Sequence, residues 1–171
     1  MDADEPLLRV ATLADEAAIQ ALMKQSGAAL FPRSYTEEQA RSAVRYVAQV
    51  DPMLLSDGTY FVLEAGGELV GCGGWSRRDK LYTGSGDFDD DARPLDPASE
   101  PARVRAMFVR ADWTRRGLGR RILEECEAAA RNEGFRELAL GATLAGLPLY
   151  LAYGFQPLEE MDVTMPDGVT I

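Results

Sequence analysis

The residues best placed to do chemistry lie between Arg103 and Arg121. Arg103 to Val109 reads as a strand, and Thr114-Arg115-Arg116-Gly117-Leu118-Gly119 leads directly into a helical pattern. The first amides of a helix have no intrahelical acceptor, and the aligned peptide dipoles add partial positive charge around them. Glycine at 117 and 119 allows a ligand to approach the backbone closely. Arg115, Arg116, Arg120 and Arg121 add full charges. A strand, a glycine turn and an open helix start, ringed by arginine, suit a pyrophosphate. The plainer reading is an ordinary strand-to-helix turn with a basic cap. Arginines at a helix N-terminus oppose the dipole, however, and so favour an anionic ligand.

Several other chemistries are excluded or disfavoured. No Gly-Lys-Ser/Thr follows the glycines, so the loop is not of the Walker type, and the dinucleotide pattern Gly-x-Gly-x-x-Gly fails at Ile122. The chain has no histidine, which removes histidine triads, histidine bases and histidine metal sites. Cys72 and Cys126 are too few for a disulfide framework or a zinc site and read as buried thiols, so no metal is expected. The formal net charge is -10, yet Arg103, Arg105, Arg110, Arg115, Arg116, Arg120 and Arg121 face only Asp112 within their segment, a local +6. An anion is expected to dock there and a cation elsewhere. The overall charge and the lack of interleaved aromatics disfavour nucleic acid and anionic membranes as partners. No apolar run approaches the roughly 18 residues of a membrane span. The acidic start Met1-Asp2-Ala3-Asp4-Glu5 is unlike a signal peptide, so a cytoplasmic location is expected.

One domain over residues 1–171 must position these groups. Leu7 to Val10 reads as a strand. Thr12 paired with Glu16 fits a capping box, starting a helix with Ala18, Ile19, Leu22 and Met23 on one face and a stop at Gly27. A second helix begins near Thr36 and ends at Asp51-Pro52. Thr59 to Ala65 and Glu68 to Ser76 form a hairpin about Gly66-Gly67, and the glycines of the second strand suggest a bulge or a close backbone approach. Residues 77–101 are a long surface loop, functional or merely solvated. After the strand ending at Val109, a helix runs from about Gly117 to Arg131, with Leu118, Ile122, Cys126 and Ala129 as its stripe. Asn132-Glu133-Gly134 stops it, and a strand over 137–140 returns parallel to the first. A short helix over 147–153 ends at Gly154. Phe155 to Met165 reads as a further strand before a turn at Asp167-Gly168, and the last strand has barely begun at Ile171, as a truncated end would leave it.

The segments AMFV and DWTRRGLGRRILEECEAAA resemble motif A of the GNAT family, the GCN5-related N-acetyltransferases. LYLAYGF over 149–155 resembles that family's LYxxxGF element, and the order of elements agrees over roughly residues 7–165. Thr114 stands where the motif usually has Gln or Arg, while Gly117 and Gly119 match. The resemblance implies an α/β fold of the α+β type. Its mixed, mostly antiparallel sheet would have about six to seven strands flanked by helices, with a parallel central pair splayed at the CoA cleft. It also implies acetyl-CoA as co-substrate. Thr114, Arg115, Arg116, Gly117, Leu118, Gly119 and Arg120 would meet its pyrophosphate. Met107, Phe108 and Val109 would pair with its pantetheine arm, and an amide of Phe108 or Val109 would polarise the thioester. Thr143 falls where relatives often place an Asn on the arm.

Tyr150 matches the general acid that protonates the leaving thiolate, with Tyr153 as second choice. Glu100 sits near where some relatives place a base, and Glu64 and Asp79 are alternatives. The implied reaction is direct attack of an amine in a ternary complex, without an acyl-cysteine. The acceptor would be a small-molecule or peptide amine of cationic character. The acidic run at 87–91 could attract it, and Trp75, Tyr82 and Phe88 could line an aromatic pocket. A homodimer stays open. The competing reading is a non-catalytic acyl-CoA-binding sensor or interaction domain.

Overall fold

The computed structural model describes residues 5–81 and 93–171. Tyr82, Phe88 and the acidic run at 87–91 therefore lie outside the described residues. One five-stranded sheet holds the site together, in the order β1 (Leu7–Val10), β2 (Tyr60–Ala65), β3 (Glu68–Ser76), β4 (Ala102–Val109), β5 (Leu138–Ala139). Neighbours among the first four strands are antiparallel and β5 runs parallel to β4. The mixed, mostly antiparallel sheet is as expected, but its strands number five among the described residues. The parallel pair also sits at an edge of this sheet, because β5 is the last strand.

The two strands pair only at Ala102 with Leu138 and at Arg103 with Ala139. Beyond Ala139 the chain leaves β4, so the splay is present. It leaves a gap beside the last residues of β4.

A bulge shapes β4 just before that gap. Gly74 pairs with Arg105 and Cys72 with Phe108, so Ala106 and Met107 both face Gly73. Ala106 takes a φ of 50°, in the left-handed region. Gly74 answers the expectation of a close approach: a Cβ there would lie 2.3 Å from the Thr59 carbonyl oxygen. The fully buried Tyr60 donates its hydroxyl to the Ala106 carbonyl at 2.6 Å. Tyr60→Phe should leave that acceptor unpaired and lower stability by about 1–3 kcal/mol. Chemical denaturation checks this, and an unchanged midpoint would remove Tyr60 as the prop of the bulge.

Helices cover both faces. On one lie α1 (Glu16–Leu30), α2 (Glu37–Tyr46) and α3 (Pro52–Asp57). They pack over Tyr60, Val62, Cys72 and Phe108. On the other, α4 (Leu118–Asn132) and α5 (Leu147–Tyr153) cover Leu63, Val70, Trp75 and Val104. Trp75 is a core residue, edge-on to Phe135 at 5.9 Å between ring centroids.

Three expectations about the first helices change. Gly27 does not end α1, which continues to Leu30. Instead Gly27 makes room for Phe31, whose ring would be 3.0 Å from a Cβ. Ala18 is exposed, and the buried stripe runs Ile19, Leu22, Met23, Ser26. Asp51-Pro52 does not stop α2, which already ends at Tyr46; it starts α3 instead. Asp51 accepts from the Met53 N–H at 3.0 Å, Pro52 takes the first position of α3, and Gly58 ends that helix in the left-handed region.

The segment from Phe155 to Met165 is not the expected strand. A two-residue β5 offers no ladder to extend, Pro157 lacks a donor, and Leu158 is 92% exposed. The turn at Asp167-Gly168 is present. Val163 and Ile171 exchange backbone hydrogen bonds at 2.9 Å around it. Gln39 and Ser42 of α2 hold this hairpin through the Thr170 carbonyl and the Asp167 carboxylate, each at 3.0 Å.

Candidate active site

The loop ahead of α4 takes the conformation that its glycines allow. Arg115 has a φ of 63° and Gly117 a φ of 78°, so two left-handed residues bracket Arg116 and curl the chain into the helix start. No side chain caps α4, and its first intrahelical acceptor is the Gly117 carbonyl, taken by Arg121 at 3.1 Å. The amides before Arg121 therefore have no acceptor within the helix. Such a concave, uncapped start fits a pyrophosphate. The two glycines divide the labour differently from the sequence reading. Gly117 supplies the positive φ, with open space where a Cβ would stand. Gly119 is buried, and a Cβ there would lie 2.6 Å from the Leu149 side chain of α5. It lets α5 approach α4 closely.

The local +6 does not survive folding as one patch. Arg103 pairs with Asp79, Arg105 with Asp51, and Arg110 with Asp112 and Glu68. Arg121 donates to the Pro6 carbonyl at 2.8 Å. Among the described residues no carboxylate pairs with Arg115, Arg116 or Arg120. Arg116 lies over the Trp113 ring at 4.3 Å and Arg120 over the Tyr153 ring at 5.2 Å. These three carry their charge around the loop, without a carboxylate partner among the described residues. Thr114 turns its hydroxyl to the Ala111 carbonyl at 3.0 Å, closing the loop internally, and Leu118 is core.

The gap left by the splay is a cleft. Met107, Phe108, Val109, Thr143 and Tyr150 line it together. Thr143 accepts from the Gly146 N–H at 3.2 Å and so shapes the turn into α5. Tyr150 is 9% exposed, set edge-on to Phe155 at 5.9 Å. Burial pushes its phenol well above the ordinary tyrosine range, with the Cys126 thiol adding to the shift, so it stays protonated. Tyr153 instead donates to Glu127 of α4. Burial and that hydrogen bond raise its pKa to about 12.

The backbone of β4 separates the two candidate amides. The Phe108 N–H is turned to Cys72, and the Arg110 N–H donates to the Val70 carbonyl at 2.9 Å. Backbone groups alternate along a strand, so the Val109 N–H lies on the opposite edge, toward the cleft. Ser26 holds this end of β4, donating to the Val109 carbonyl at 2.7 Å. Sequence reading missed Ser26. Its signal was a polar residue on the apolar stripe of α1, three residues after Met23.

The candidate bases are not brought to the cleft. Glu100 bonds Arg93 at 2.7 and 2.8 Å and the Asp96 N–H at 3.0 Å. Those hydrogen bonds hold its pKa at about 2, which makes it a weak proton acceptor. Glu64 pairs with Arg9, and Asp79 with Arg93 and Arg103. Among the described residues no carboxylate lines the cleft. The thiols are equally unsuited to nucleophilic attack. Burial pushes Cys72 up to about 12 and Cys126 higher.

The sequence matches the family model described as the acetyltransferase (GNAT) domain over residues 56–157. No curated protein matches it significantly in sequence. The fold is similar to a GCN5-related N-acetyltransferase from Rhodopseudomonas palustris, with TM-score 0.73 and 18% identity, covering 100% of this chain and 93% of that one. It is also similar to the PaiA N-acetyltransferase from Thermoplasma acidophilum in complex with coenzyme A, with TM-score 0.61 and 14% identity over 86% of each chain. An aminoglycoside N-acetyltransferase in complex with CoA aligns with TM-score 0.55 and 18% identity over 92% of each chain.

Proposed function

This chain belongs to the GNAT family of acetyltransferases, and we propose that it acetylates a primary amine from acetyl-CoA by direct attack within a ternary complex. The observation that carries this reading is Tyr150, a protonated phenol in a cleft that opens beside the bulged strand β4. The amides before Arg121, with Arg115, Arg116 and Arg120, hold the pyrophosphate. Met107 and Val109 offer strand edges to the pantetheine arm. Acetyl-CoA supplies the acetyl group as a thioester. The Val109 N–H, kept in place by Ser26, donates to the thioester carbonyl as negative charge develops on its oxygen. Tyr150 gives its hydroxyl proton to the departing sulfur and regains one from water before the next turnover. Two similar structures carry CoA, and one is named for an aminoglycoside acceptor, which supports a small-molecule amine. The cytoplasm is the location this reading assumes.

The amine must attack as the free base, and the described cleft residues include no carboxylate to take its proton. Water takes it instead. An alkyl amine has a pKa near 10.4, so kcat/KM should rise about tenfold per pH unit from about pH 6 to about pH 9. Tyr150, raised by burial, adds no falling limb across that range. Thiol release at fixed acetyl-CoA measures the profile. A plateau that begins below about pH 7 would reveal a protein base and contradict the water route.

A further inference from the structure

The cleft reaches through the splay from one face of the sheet to the other, and its two ends differ. Val104 and Tyr150 belong to the face covered by α4 and α5, where the uncapped helix start lies. On the α1–α2 face the walls are Leu30, Phe31, Val47, Leu81 and Phe108. No charged side chain lines the cleft among the described residues. The carboxylate that caps α3, Asp51, is buried and committed: it accepts from the Met53 N–H and pairs with Arg105 and Lys80. It is not available to a substrate cation.

Resting on the acetyl-transfer reading above, we propose that the acceptor is a primary amine carrying one apolar group, aryl or branched alkyl, and no second cationic centre. The CoA arm arrives from the α4 side, so the amine attacks from the α1–α2 side and its substituent lies against those five side chains. A free amine brings no charge to bury, and its apolar group gains by leaving water. A second ammonium would be desolvated there, and no carboxylate among the described residues of the wall would pair with it. The net charge of -10 draws a monocation toward the protein. Apolar burial, rather than ion pairing, then holds the substituent.

Initial rates with 2-phenylethylamine and 1,4-diaminobutane at one pH test the proposal, with acetyl-CoA affinity measured by calorimetry alongside. We expect kcat/KM for 2-phenylethylamine to exceed that for the diamine by about tenfold or more. Leu81→Glu and Val47→Glu each place a carboxylate in this wall. At least one should reduce the ratio by about tenfold while acetyl-CoA affinity stays unchanged. Equal or better turnover of the diamine, acetylation of polycationic amines alone, or a ratio that neither substitution moves would overturn the substrate class and leave acetyl transfer standing. Binding of acetyl-CoA with no acetylation across a broad pool of amines would instead overturn the acetyl-transfer reading, and this proposal with it.

Discussion

Tyr150→Phe should lower kcat by about a hundred- to a thousandfold while changing the affinity for acetyl-CoA by no more than about twofold. The phenol oxygen is the only atom removed, and the ring keeps its edge-on contact with Phe155 and its place against Gly146. Packing, and hence the melting temperature, should barely change. Burial keeps the phenol protonated, so the wild-type enzyme holds its proton ready over the whole working range of pH. Tyr153→Phe is the control. Its hydroxyl is bound to Glu127, away from the reacting atoms, and its loss should cost less than about threefold in kcat. If Tyr150→Phe retained more than about a tenth of kcat, the proton donor would have to be sought elsewhere.

The largest effect on stability is expected at Asp51→Ala, a loss of about 3–5 kcal/mol from breaking a buried ion pair. The cap on α3 should contribute about 1 kcal/mol more. Asp51 is 8% exposed and Arg105 2% exposed, and the pair is 3.1 Å apart. It ties the start of α3 to the residue just before the bulge in β4, so the change should loosen the strand that lines the cleft. Burial alone would raise the Asp51 pKa, but Arg105, Lys80 and the Met53 N–H outweigh it and lower it. A carboxyl with a depressed folded pKa stabilises above its unfolded value, near 3.9, and that stability is lost as the pH falls through the lower folded value. Wild-type stability should therefore fall on acidification below about pH 4, and the Asp51→Ala protein should show less of that dependence. Urea midpoints at neutral and acid pH measure both effects. A loss under about 1 kcal/mol at neutral pH would mean that the pair is not holding α3 to the sheet.

The parts of the fold that were legible in the sequence are those in which local pattern and tertiary role coincide. The β2–β3 hairpin could be read from β-rich runs around Gly66-Gly67, whose φ values of 59° and 79° suit the tight turn. The start of α4 followed from its glycine turn and Leu118, Ile122 and Cys126 of its stripe from four-residue spacing, whereas the stripe closes on Ala130 rather than Ala129. What was not legible depends on partners distant in sequence. Seven arginines within 103–121 suggested a single anion site, but Asp51, Glu68 and Asp79 neutralise three of them from remote segments. Gly27 looked like a helix stop because nothing local reveals the Phe31 ring against it. Phe155 to Met165 alternates well enough for a strand, yet a strand needs a neighbour, and β5 ends at Ala139. At the site, Tyr150 and the 114–119 loop were visible through motif spacing. The apolar walls of the cleft were not, because Leu30, Val47 and Leu81 come from three segments that share no pattern.

The most direct measurement follows both products at once. The protein, acetyl-CoA and a primary amine such as 2-phenylethylamine are incubated, free thiol is titrated, and the amine and the intact protein are weighed by mass spectrometry. One acetylated amine is expected for each thiol released, with the amine heavier by one acetyl group and the protein unchanged in mass. Thiol release without acetylated amine, or an acetyl group found on Cys72 or Cys126, would contradict it.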